Sequence, residues 1–220
     1  MKRVDPLRAS RIVVQAMEPV FGENYRPGFL GFLCQNAVHP SRGIAYFTGW
    51  SRMSDVAVTG VLIVTGDNEG VEVAGGREVV VTPLSKYFED PKTQIFFRKP
   101  KKCAGGVGER IAEAAKAQVG LRVDQIVRAA RVLEGTFARR WVLSHFRSSG
   151  EQFSAKFAGR DPGWLGAELA AYCLDAQPEY ADRGILGHPP HAIDPQRLFE
   201  DDELFAAWSQ DPLEGPKGVG

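Results

Sequence analysis

Three cysteines and four histidines are the side chains from which a nucleophile, a base or a soft metal site would be drawn. Cys34 stands five positions before His39, within reach if the intervening loop folds back. A thiolate and imidazole brought together in this way attack carbonyl carbons. Cys103 and Cys173 have no such neighbour, and no CxxC pair occurs anywhere in the chain. That pattern indicates neither a disulfide framework nor a zinc centre, and each thiol also reads as a small buried hydrophobe. His188 and His191 flank a proline-rich turn without a partner at ligand or base spacing. No metal and no cofactor are expected.

A different chemistry is offered by residues 134 to 160. Phe137, Trp141, Phe146, Phe153 and Phe157 alternate with Arg139, Arg140, Arg147 and Lys156. Aromatic faces interleaved with cations bind single-stranded nucleic acid, a membrane surface or a protein partner. Charge decides among these. Lys and Arg number 27, as do Asp and Glu, so the net charge is zero and the chain lacks the long-range positive field of a nucleic-acid binder. The run is therefore read as a helical or aromatic insertion that meets a protein partner through Trp141, Arg139 and Arg140. The basic Lys99 to Lys102 cluster is short enough to be a solvated loop.

The chain has 220 residues, 44% of them hydrophobic and 25% charged, enough to bury one core. No run approaches the length of a membrane span and no signal peptide is read at the N-terminus. A cytoplasmic or virion-associated, assembly-bound location is expected. Asp5-Pro6 before Leu7, Ile12, Val13, Ala16 and Met17 predicts an N-capped helix that ends before Gly22, an extension over residues 1–22. A main domain over 23–210 and a flexible tail over 211–220 follow.

Within the domain, Gly28 to Leu33 reads as a buried strand and Gly43 to Thr48 as a short helical or turn segment. Val56 to Val64 is a strand rich in β-branched residues, stopped by Gly66-Asp67-Asn68 at a hairpin turn. Val71 to Ala74 and Glu78 to Val81 are the next two strands, Pro83 to Phe88 a helical turn, and Gln94 to Arg98 another strand. Helices are predicted over 109–119 with Gly120 as C-cap, over 124–133, over 164–174, and near 201–208.

This order of elements resembles the circularly permuted papain-like hydrolases related to NlpC-type cell-wall amidases. The runs that carry the likeness are Pro27-Gly28-Phe29, Ile44 to Thr48, Ser54-Asp55-Val56, Val71-Glu72-Val73-Ala74, Thr82-Pro83-Leu84-Ser85, Phe97-Arg98-Lys99-Pro100, Gly166-Ala167-Glu168-Leu169 and Pro190 to Leu198. The resemblance implies an α+β fold, an antiparallel sheet or barrel packed by helices. It also places the family's histidine at Asp55 and its nucleophilic cysteine at Gly166. Acyl-enzyme chemistry needs a thiolate at a helix N-terminus beside an imidazole, and a carboxylate facing a glycine supplies neither.

The expectation is therefore a pseudoenzyme, a structural or binding module in a larger bacterial or phage-tail assembly, with protein partners and a peptidoglycan or lipid fragment as possible ligand. Two alternatives stand beside it. One is an active cysteine amidase that uses Cys34 with His39, or Cys173. The other is a carboxylate or metal site formed by Asp55, Glu72 and Glu168 in the former cleft.

Overall fold

A computed structural model describes residues 14–35, 42–47, 56–75, 78–104, 106–121, 165–188 and 193–206. His39, Asp55, His191, the 134–160 run with Arg139, Arg140 and Trp141, the helix expected over 124–133 and the tail from 211 lie outside these described residues. The fold is α+β. Seven strands, β1 (Val14–Met17), β2 (Leu30–Gln35), β3 (Ile44–Phe47), β4 (Gly60–Gly66), β5 (Glu69–Ala74), β6 (Glu78–Thr82) and β7 (Thr93–Arg98), form one sheet in the order β1-β3-β7-β2-β4-β5-β6.

Every neighbouring pair is antiparallel except β3 and β7, which run parallel. The sheet is mixed and open, so the fully antiparallel sheet and the barrel expected from sequence are both corrected. Closure fails because the outer edge of β6 meets a loop instead of β1: Val79 N–H donates to Leu121 O at 3.0 Å and Gly120 N–H to Val79 O at 2.8 Å. Pro83 follows directly after Thr82, and a residue without an N–H ends the exposed part of that edge.

Strand alternation gives each face its own core. Leu30, Phe32, Val61, Ile63, Val71 and Phe96 point to the side covered by α2 (Val107–Lys116), α3 (Leu165–Asp175) and α4 (Pro195–Glu200). Phe29, Leu33, Leu62, Val64 and Ile95 point the other way, against Tyr25, Leu84 and Tyr87 from the short α1 (Ser85–Phe88). Helix α2 is amphipathic, with Val107, Ile111, Ala112 and Ala115 buried and Glu109, Arg110, Glu113 and Lys116 exposed. Helix α3 is nearly apolar throughout, and its small residues Gly166, Ala167, Ala170 and Ala171 let it lie close on β4.

Two further expectations are corrected together. Residues 14–17 are not the end of a helix, and residues 44–47 are neither helix nor turn: they are β1 and β3, paired from Val14↔Phe47 to Met17↔Ile44. Each segment supplies the other's hydrogen bonds, and this tertiary pairing overrides the helical spacing read locally. The last helix also differs. Asp194 accepts from Arg197 N–H at 2.7 Å and Pro195 occupies the first turn, so α4 starts there. It stops at Asp201, whose carboxylate accepts from Glu203 N–H at 2.8 Å, Leu204 N–H at 2.9 Å and Ile185 N–H at 2.6 Å. Strand β4 begins at Gly60 instead of Val56. Ahead of it, Val58 N–H donates to Gln196 Oε1 of α4 at 2.9 Å.

Arg98, at the end of β7, is 2% exposed and fastens the last described segment. Its guanidinium donates to Phe199 O, to Ala206 O at 2.9 Å and to Asp202 Oδ1 at 2.9 Å, and stands 5.1 Å from the Phe205 ring centroid. The ladder Lys101 N–H to Leu204 O at 2.8 Å and Ala206 N–H to Lys99 O at 2.9 Å continues the attachment. Beneath it Phe199 packs against Phe32 and Phe96, with ring centroids 5.0 and 5.8 Å apart. At the same end of β2, just before Leu30, which pairs with Arg98, Gly28 (φ +83°) and Gly108 touch backbone to backbone; a Cβ on Gly28 would lie 2.5 Å from Gly108 Cα.

Substituting Arg98→Met is expected to cost about 2–4 kcal/mol, because it removes the donors of the buried Phe199 carbonyl and the half-buried Ala206 carbonyl. Asp202→Asn should cost less than about 1 kcal/mol, since that carboxylate is 67% exposed and solvent already screens the pair. Urea unfolding midpoints of the two variants, at unchanged slope, check the contrast.

Candidate functional site

Helix α3 begins against the start of β4. A Cβ built on Gly166 would lie 3.1 Å from Val61 O and 3.6 Å from Val61 N, so the helix meets the strand as bare backbone. Beside this contact a cleft of about 430 Å³ opens at the end of the sheet, where β2 and β5 finish and β4 and β7 start. Gly60, Val61, Glu72, Tyr87, Gly166 and Pro195 are among its walls.

Glu72 supplies the anion. It lies on β5 opposite Leu62, on the face away from the three longer helices, and is 8% exposed. Thr82 Oγ1 donates to its Oε1 at 2.6 Å and Tyr87 Oη to its Oε2 at 2.6 Å. Lys86 Nζ stands 3.5 Å from Oε1. Short hydroxyl contacts of this kind are charge-assisted and hold the carboxylate in one orientation. Burial, and next the bond to Glu72, push the Tyr87 hydroxyl well above the ordinary tyrosine range, so it remains a donor. Asp90, also in the wall, accepts from Lys92 N–H at 2.9 Å and Thr93 Oγ1 at 2.7 Å. These bonds, the backbone one first, hold its carboxyl below the usual range.

The structure thus brings Gly166 and Glu72 to one cleft. The strand residues beside Gly166 are Gly60 and Val61, with Thr59 next to them, while Asp55 lies outside the described residues. Glu168 is fully buried in α3 and is not part of the cleft wall. Among the described residues, no group of three His, Cys, Asp or Glu side chains is arranged to hold a metal ion.

The thiols sit elsewhere. Cys34 is 3% exposed in β2, and burial pushes its thiol up to about 12. Cys173 is seven positions beyond Gly166, about 10 Å further along the helix, and burial likewise raises it. Cys103, half-buried near Gly108, is raised by burial too. All three are free thiols in surroundings that disfavour the thiolate a nucleophile requires. His188 is exposed beyond a 3-10 turn, Gly184–Gly187.

The sequence names Thr82 only within the Thr82-to-Ser85 run and gives Lys86 and Tyr87 no role in a site. The turn signal Pro83-Leu84-Ser85 was legible, but only the fold of β5, β6 and α1 shows that it swings Tyr87 back onto Glu72. No family model matches this chain, nor does any curated protein or solved structure.

Two outcomes follow for the thiols and phenols. In native protein, a thiol reagent such as iodoacetamide should modify Cys103 ahead of Cys34 and Cys173, which become reactive only on unfolding; mass spectrometry of digests reads this directly. Stability should also fall as pH rises. The folded Cys34 and Tyr25 groups both titrate near about 12, above their ordinary values of 9.0 and 10.0. The unfolded chain therefore releases these protons first. The contribution of these two groups is fully present below about pH 9 and is lost from there toward about pH 12, and Cys34→Ala should flatten the early part of the decline in urea midpoints.

Proposed function

We propose that this chain is a non-catalytic binding module on a papain-like framework, serving as a subunit of a larger cell-wall or phage-tail type of assembly. The observation that carries the reading is the meeting of α3 with β4. At the helix start, where the resemblance calls for an activated thiol, Gly166 presents backbone to the backbone of Val61. The described wall of the cleft holds neither cysteine nor histidine. Its polar groups are a carboxylate already oriented by two hydroxyls, a lysine, a second carboxylate and threonines, a set suited to holding a ligand in place. The assembly role rests on the likeness of motifs, and the cleft's chemistry is the part that an experiment on the isolated protein addresses.

Purified full-length protein should show no turnover of muropeptides, p-nitrophenyl esters or anilides, and no labelling by thiol-directed epoxide probes. Turnover that disappears in Cys34→Ala or in Cys173→Ala would overturn the reading and establish a displaced cysteine hydrolase.

A further inference from the structure

A buried carboxylate is expensive unless neutralised, and Glu72 is neutralised incompletely. Its hydroxyl partners carry no charge. Its cationic partner is Lys86, 3.5 Å from Oε1, and the two differ greatly in exposure: the lysine side chain is 58% exposed and the glutamate side chain 10%. The ammonium also stands 4.8 Å from the Tyr87 ring centroid and 3.3 Å from Tyr87 Oη. A carboxylate beside an aromatic ring is the pair of groups that recognises an ammonium ion. The chain here satisfies that pair with its own side chain.

Lys86 holds this place weakly. An ion pair with one partner mostly in water is worth about 0–1 kcal/mol, and the four-carbon stem can turn to solvent at little cost. The groups that remain when it does so are fixed: Thr82 and Tyr87 hold the carboxylate, and Tyr87 is locked in the core. Leu33 on the same face as Glu72, and Val61, Val73 and Ala167 around the end of the sheet on the helical side, give the cleft an apolar part for a short hydrocarbon body. Charge points the same way. Glu72 and Asp90 against Lys86 leave the described wall one negative charge in excess, which a monocation cancels.

We propose that the cleft is a binding site for a small ligand bearing one primary ammonium group on a short apolar body, with Lys86 as its tethered stand-in. This rests on the reading of the cleft as a binding site and names its ligand class. A primary ammonium donates to Glu72 and lies over Tyr87 as Lys86 does, while its alkyl part enters the apolar side of the cleft. A neutral isostere lacks the charge, and a quaternary ammonium lacks the donors.

The test is an amide-resolved NMR titration of the full chain with n-butylammonium chloride, against butanol and against potassium chloride at matched ionic strength. Saturable shifts at Glu72, Tyr87 and Gly166 are expected with butylammonium only. Lys86→Met should tighten binding by about threefold to fivefold, the equivalent of removing a weak exposed competitor. Glu72→Gln should abolish saturation. If butylammonium moves these signals no more than potassium chloride does, in both the wild-type chain and Lys86→Met, the proposal is wrong. It is equally wrong if butanol binds as well as the amine, or if Glu72→Gln binds unchanged. Should Glu72→Gln fail to fold, the butanol control and the Lys86→Met comparison still decide. The absence of amine binding would leave the non-catalytic reading intact, since that reading stands on turnover.

Discussion

Burying the guanidinium of Arg98 is the constraint from which the geometry of the cleft follows. A charge that cannot reach water must find acceptors, and Arg98 finds them in Phe199 O, Ala206 O and the Asp202 carboxylate, all on the segment that ends the described chain. That segment is thereby held across β7, and α4 is held with it. From α4, Gln196 reaches 138 positions back along the chain to accept the N–H of Val58. Thr59 N–H is then fixed on Leu33 O at 2.8 Å, so Gly60 and Val61 enter the sheet at one defined place. Gly166 meets them there. The cleft wall also includes Pro195, the first residue of α4. One buried cation at the far end of β7 thus sets where the mouth of β4 lies.

Alternation places the cleft's anion. Successive β5 residues point to opposite faces, so Val71 and Val73 belong to the helical side and Glu72 to the side of Leu62 and Tyr87. A slip of one residue in the β5–β6 register would send the carboxylate into the apolar layer under α3. The observed register, Glu72 opposite Val80 and Gly70 opposite Thr82, instead brings the Thr82 hydroxyl alongside the carboxylate on the same face. Because Glu72 lies near the end of its strand, it also reaches the opening where the two cores meet. Its position serves burial and access together.

What the sequence made legible divides along the range of the interactions. The β4–β5 hairpin, the β5–β6 pair, α1, α2, α3 and β7 were readable because their patterns and stop signals are local: Gly66-Asp67-Asn68, Pro83 before a turn, small and apolar residues throughout α3. The β1–β3 ladder was not, since neither Val14–Met17 nor Ile44–Phe47 carries its own evidence of a partner and each acquires strand geometry only from the other. Helix α4 is a mixed case: its start is the local Asp194-Pro195 cap, a legible signal that was passed over, while its end depends on Asp201 turning to Ile185, 16 positions away. In the site, Glu72 and Gly166 were named from sequence and do share a cleft. Tyr87 and Lys86 were read only as part of a helical turn and Arg98 only as part of a strand and its closing motif, because an aromatic, a lysine and an arginine reveal nothing of their burial until the packing around them is known.

The placement of the thiols sets what chemistry the described residues can offer. Lowering a cysteine's pKa takes a positive potential, and a helix concentrates that potential in its first turn. At α3 that turn contains Gly166, Ala167 and the buried Glu168 but no thiol, while Cys173 stands two turns on, enclosed by apolar neighbours that favour the neutral thiol. Cys34, in the middle of the sheet, faces the same penalty. The cleft instead carries the carboxylates of Glu72 and Asp90, each oriented by donors supplied from its own neighbourhood. A fixed anion beside an aromatic face recognises a cation without any bond having to break.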